Sequence, residues 1–272
     1  MAGESGRRGG ERRGNDDRRR DGGRPSRPNP RKGFDDTRRR DDGRGRRDDD
    51  RGHRGSLTTG DGPGGDLPKW VREEITRVTA KERREPTLRL LSEAAHSFAS
   101  EKYAQALPKL KEAKALSSRT ATIRELLGLT LYHTGQWEEG LRELRTFRRL
   151  SGETTHMAVE MDCLRAMDKP VDVEKTWALF RELGGNAQTV SEARVVFASF
   201  LLDAGRAKEA WKVVGPKRLA NDAPDFELRE WFVAARAALV LGDRDAAGRI
   251  IAGISKRDAE FPGIDDLRSA LD

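Results

Sequence analysis

Apolar residues fall into two regimes along this chain. Through residue 66 the only ones are Met1, Ala2, Phe34 and Leu57. From Leu67 onward they recur every three to four residues, the spacing of one helix face. Trp70, Val71, Ile75 and Val78 predict one amphipathic helix over 69–84, opened by Pro68 and closed by Pro86. Beyond it the apolar pattern repeats.

Laying residues 87–120 over 121–154 aligns Ala94 with Gly128, Phe98 with Tyr132, Tyr103 with Trp137, Ala106 with Gly140, Leu110 with Leu144 and Leu116 with Leu150. The period is 34 residues with two helices per unit. In the second unit Gly128 lets the two helices approach, Gly135 turns the chain, and Trp137 fills the space beside the turn. Three looser units follow: Met161, Leu164, Val173, Trp177 and Phe180 with a turn at Asp168-Lys169-Pro170; Ala198, Leu201, Ala207, Ala210 and Val214 around Gly205; and Trp231, Ala235, Ala247 and Ile251 around Gly242. Pro108 falls inside a predicted second helix and is expected to kink it. Gly184-Gly185-Asn186 reads as a helix stop and a turn.

This pattern resembles the tetratricopeptide repeat superfamily, and the Arg-, Ala- and Gly-rich composition resembles repeat proteins of high-GC bacteria such as actinobacteria. The proline that usually ends a unit is missing from the first two, where Ser118 and Glu153 stand. Armadillo- or HEAT-like pairing is the structural alternative, with longer units. The resemblance implies an all-α fold, a right-handed α-α superhelix of about five helix pairs whose concave face is lined by first helices. The expected domains are a disordered tail (1–66), a linker and N-terminal capping helix (67–86), the repeats (87–258) and a C-terminal closing segment (259–272), with a short helix around Phe261–Leu267.

A peptide or helix of a protein partner is the expected occupant of such a groove. By the family's helix register, inward positions are Phe98, Glu125, Leu129, Tyr132, His133, Asp162, Arg165, Ser199, Asp203, Arg229, Phe232 and Arg236. That face mixes both signs of charge with aromatics. Phe98 and Tyr132 also read as packing residues, and Arg229 and Arg236 as solvating a helix surface. Members that hold a peptide carboxylate use a clamp of Lys, Asn and Arg; Ala95 and Leu129 stand where it wants Asn, and only Arg165 is of the right kind.

Charge changes the picture mainly in the tail. The whole chain carries +7. Residues 1–66 hold 19 Lys+Arg, 14 Asp+Glu and 16 Gly, too little apolar surface to offset the entropy of ordering. Arg8, Arg13, Arg44, Arg51 and Arg54 each precede a glycine, and Arg46 lies among them. Arg-Gly steps of this kind resemble those of RNA-associated tails, since arginine forks onto phosphate and glycine leaves the backbone free to follow a strand. Asp16-Asp17, Asp35-Asp36, Asp41-Asp42 and Asp48-Asp49-Asp50 compete for the same guanidinium groups. Two readings stand: a solvated polyampholyte, or a weak, salt-sensitive RNA or ribosome contact.

Catalytic signatures are missing from the pattern. His53, His96, His133 and His156 form no metal-binding spacing, and neither a phosphate-binding glycine loop nor a nucleophile elbow occurs. Glu160, Asp162 and Asp168 read as a chance grouping of carboxylates. Cys163, the single cysteine, reads as a buried, inert thiol. No apolar run is long enough to span a bilayer, and the Arg/Gly-rich start predicts no secretory leader. The expectation is a cytoplasmic, non-enzymatic interaction scaffold needing no cofactor or metal.

Overall fold

The computed structural model describes residues 67–216 and 218–271, and the described residues form twelve α-helices and no strand. Lys69–Val78 (α1) precedes five helical hairpins: Lys81–Ala99 (α2) with Tyr103–Leu116 (α3), Ala121–His133 (α4) with Trp137–Ser151 (α5), Met157–Ala166 (α6) with Pro170–Leu183 (α7), Ala187–Asp203 (α8) with Ala207–Val214 (α9), and Asp225–Val240 (α10) with Arg244–Arg257 (α11). Ile264–Leu271 (α12) packs on α10 and α11, so the closing helix expected at the C-terminus is present, beginning after the Phe261-Pro262-Gly263 turn.

The five hairpin turns share one construction. Each is three residues long, and its middle residue is left-handed: Glu101, Gly135, Asp168, Gly205 and Gly242, with φ of 57°, 76°, 57°, 73° and 77°. The N–H of the third residue reaches back five residues to a carbonyl of the first helix: Lys102 to Ser97, Gln136 to Leu131, Lys169 to Leu164, Arg206 to Leu201, and Asp243 to Ala238, at 2.8–3.0 Å. This is the Schellman closure, which satisfies carbonyls that a helix end would leave bare. Each first helix contacts the first helix of the next hairpin, and each second helix of the first four packs against the first helix that follows it. The core is strung along these seams, with Leu91, Leu110, Leu127, Leu131, Leu144, Phe147, Met161, Leu164 and Leu201 almost fully buried.

In the second hairpin a Cβ on Gly128 would stand 2.7 Å from the Leu144 side chain, and one on Gly140 would stand 3.2 Å from the Gly128 carbonyl. Glycine is what permits α4 and α5 to lie this close. Trp137 sits beside the Gly135 turn, edge-on to Tyr132 at 5.4 Å.

One sequence expectation is corrected. The helix predicted over 69–84 ends at Val78, and Pro86 lies inside α2 instead of closing its predecessor. Thr79 is extended (φ −116°, ψ 136°); its hydroxyl bonds Ser117 at 2.5 Å, and its carbonyl accepts from Arg84 Nε at 3.1 Å. Tertiary hydrogen bonds therefore place the break. Pro108 lies inside α3, as its sequence position implied, and Pro86 inside α2. Pro86 and Pro108 each fall on the sixth residue of their helices, and the carbonyls they leave without a donor belong to Glu82 and Ala104, both exposed to water. Neither helix stops there.

Candidate functional site

The first helices α4, α6 and α8 are neighbours, and their side chains meet in a hydrogen-bonded row. Tyr132, in the last turn of α4, donates its phenol to Asp162 Oδ2 at 2.5 Å. Arg165, one turn further along α6, donates to Asp162 Oδ1 at 2.8 Å and to Asp203 Oδ2, at the end of α8, at 2.8 Å. One guanidinium thus ties two carboxylates from successive hairpins. Asp162 is 4% exposed, while Arg165 and Asp203 face outward from the row. Burial, then the charge and hydrogen bond of Asp162, push the Tyr132 phenol far above its ordinary range, so it stays a proton donor to that carboxylate.

Beside this row lies an aromatic group. His133 stacks on Tyr103 at 4.2 Å with planes 2° apart, and Phe98 meets both edge-on at 5.2 and 5.8 Å. Phe98 itself is buried at 8% exposure, while Tyr103 and His133 are half-buried. On α4, Glu125 bonds His156 Nε2 at 2.8 Å, and Leu129 is half-buried against the first core cluster. Ser199 on α8 is half-buried, as are Arg229 and Arg236 on α10. Phe232 packs on Phe261 at 5.6 Å, so the C-terminal turn covers part of it. The structure therefore brings Tyr132, Asp162, Arg165 and Asp203 into one constellation and Phe98 with His133 into another, while Phe232 belongs to the C-terminal closure. Arg8, Arg13, Arg44, Arg46, Arg51 and Arg54 lie outside the described residues.

The chain matches no family model, no curated protein and no solved structure. Its chemistry has to be read from its own side chains. Glu160 is 1% exposed and held by Arg148 at 3.0 and 3.3 Å, facing α5, whereas Asp162 faces α4 and α8; the two carboxylates serve different neighbours. Asp168 is the exposed left-handed residue of the third turn. Cys163 is fully buried, and burial, followed by the charges of Asp162 and Glu160, pushes its thiol well above the ordinary range. Among the described residues no group of three His, Cys, Asp or Glu side chains could hold a metal ion, and no helix is long and apolar enough to cross a membrane.

Two partners escaped the sequence reading. Tyr103 was within reach of it, since it aligns with Trp137 one period on. His156 was not, because nothing local marks the start of α6 as the place where Glu125 ends up.

Proposed function

We propose that this chain is a non-enzymatic protein-interaction scaffold acting in the cytoplasm. Its hairpins build a tetratricopeptide-like superhelix, and the face formed by α4, α6 and α8 receives a peptide or helix of a partner protein. The observation that carries this reading is the row from Tyr132 through Asp162 and Arg165 to Asp203. It ties three first helices to one another, and the same helices carry half-buried Leu129, Arg165 and Ser199 and exposed Asp203, a surface of mixed polarity. The five identical turns, with steps of 34 and 33 residues and then 37 twice, support the tetratricopeptide reading. With Ala95 and Leu129 where a carboxylate clamp needs amides, the contact is to side chains along a segment and not to a chain terminus.

Selection of a random peptide library on the full chain tests this. Enriched peptides should bind with micromolar affinity and lose at least tenfold on Asp203→Lys or Ser199→Trp, substitutions on the exposed side of α8. Failure to enrich any peptide, or peptides indifferent to both substitutions, overturns the assignment to this face.

A further inference from the structure

A second surface lies on α5, away from the row just described. Between Gly140 and Ser151 this helix exposes Arg142, Arg145 and Arg149 and no carboxylate, because Glu143, the only acid in that stretch, is 2% exposed. The spacing i, i+3, i+7 places the three arginines on one side of the helix, about 10 Å from first to last at roughly 1.5 Å rise per residue.

Arg142 and Arg145 are the outer, more distant cations of ion pairs that other side chains close by hydrogen bonds. Both oxygens of Glu143 are already taken, by Lys114 at 2.7 Å and Arg124 at 2.5 Å; Arg142 stands 3.9 Å away, beyond hydrogen-bond range, with its side chain 64% exposed. Glu160 is gripped by both arms of Arg148, and Arg145 stands 3.7 Å off with 45% of its side chain exposed. Arg149 donates to the Thr146 hydroxyl at 3.1 Å, a neutral partner. Six cations (Lys114, Arg124, Arg142, Arg145, Arg148 and Arg149) therefore share two carboxylates, while exposed Glu138, one turn before Arg142, bounds the ridge at its N-terminal end and Glu139 pairs with Lys111. Residues 67–272 together hold 34 Lys+Arg against 32 Asp+Glu, so a stretch of α5 that exposes three arginines and no acid departs from the near-neutral average.

We propose that this arginine ridge is a docking surface for the phosphate backbone of single-stranded RNA. Guanidinium groups fork onto phosphate oxygens, and three of them in line meet a strand of regularly spaced charges. Leu150, 42% exposed at the end of the ridge, offers apolar contact to a sugar or base. In the sequence, the Arg-Gly steps at Arg44, Arg51 and Arg54 carry the same guanidinium chemistry on the same polypeptide. This ridge acts by charge along a backbone and carries no base readout.

The test is the salt dependence of binding of a fluorescein-labelled 30-nucleotide oligouridylate to the full chain, followed by anisotropy. With three phosphate contacts at about 0.7 per contact, replacing Arg142, Arg145 and Arg149 together by Gln should flatten the slope of log K against log salt by about 2, while the triple Lys variant retains it. Affinity at 0.1 M salt should fall at least tenfold. If the Gln variant has lost its helical circular dichroism, Arg142→Gln alone carries the test, with an expected slope change of about 0.7. An unchanged slope and affinity overturns the proposal. So does a Gln variant that binds RNA normally but no longer sediments with phosphatidylserine vesicles, or no longer binds polyglutamate.

Discussion

Glu74 is the most informative single side chain to remove. It lies on α1, is 4% exposed, and reaches across the sequence to the start of α4, where its carboxylate accepts from the Ala121 N–H at 2.7 Å and from the Thr122 hydroxyl at 2.5 Å. Thr120, at the N-cap of α4, makes no side-chain capping bond, so Glu74 does that work from a distance. Both donors are buried, and water cannot replace the lost acceptor. Leaving the backbone N–H bare costs about 2 kcal/mol and the hydroxyl, which can turn to a nearby carbonyl, about 1 kcal/mol. Glu74→Ala is therefore expected to cost about 3 kcal/mol, and Glu74→Gln, which keeps one acceptor oxygen, about half of that. For a folded part of this size the alanine variant should lower Tm by roughly 6–12 °C if it melts as one unit. Hairpin stacks can melt in sections, so amide exchange is the sharper assay. Ala121 and Thr122 should exchange on the order of a hundredfold faster at the calculated loss. Pairing Glu74→Ala with Thr122→Val should recover about 1 kcal/mol relative to additivity, because the hydroxyl is no longer stranded. The control is Glu73→Ala, whose side chain is 65% exposed beside Lys69. Equal stability loss in the two alanine variants, or unchanged exchange at Ala121, refutes the capping argument.

Three further outcomes follow from the same contacts. Gly128→Ala should destabilise by about 2 kcal/mol despite alanine's better helix propensity, because its methyl meets Leu144 at 2.7 Å; urea denaturation should show partial rescue by Leu144→Ala in the double variant. Glu101→Gly and Asp168→Gly should each raise Tm, by roughly 0.5–1 kcal/mol of added stability, since these two turns hold a residue with a side chain at the left-handed position that glycine occupies in the other three. The buried acids should respond to pH in opposite senses. Burial pushes Glu143 up, but hydrogen bonds from Lys114 and Arg124 outweigh it and hold the carboxyl below its ordinary 4.5. Its contribution is complete above that value and is lost as the pH falls through the lowered folded value. Burial dominates at Glu230 and raises its carboxyl despite Ser191 and Arg194, so its contribution is complete below 4.5 and is lost as the pH rises through the raised value. In urea titrations between pH 3 and 7, the gap between wild type and Glu143→Gln should close on acidification, while Glu230→Gln should be the milder substitution at pH 7. A gap for Glu143 that is independent of pH contradicts this assignment.

What could be read from the chain alone depended on how local the cause was. The all-helical fold and the turns at Gly135, Gly205 and Gly242 were legible because helix periodicity and a left-handed glycine are written within a few residues of where they act. The same holds for the close approach at Gly128 and the turn at Asn186, whose side chain caps α8 by accepting from Thr189 N–H at 2.8 Å. The end of α1 at Val78 was not legible, since it depends on Ser117, 38 residues beyond Thr79. Pro86 read as a stop because proline is costly within a helix, yet the carbonyl it strands is in water, where the loss is small. The candidate site divides the same way. Repeat register pointed to Tyr132, Asp162, Arg165 and Asp203 separately, but that they bond to one another depends on how three hairpins lie side by side. Nor did composition reveal that Glu143 would be buried between Lys114 and Arg124, because an acid within an arginine-rich helix reads as surface until its helix has a neighbour. Near-neutrality of residues 67–272 as a whole is thus compatible with strong local polarity. Folding takes Glu143 of α5 and Glu160 of α6 off the surface, where Lys114, Arg124 and Arg148 hold them closely, and leaves Arg142 and Arg145 at the outer edge of these pairs, 3.9 and 3.7 Å away; it is this redistribution, not the sequence total, that sets the charge of the ridge.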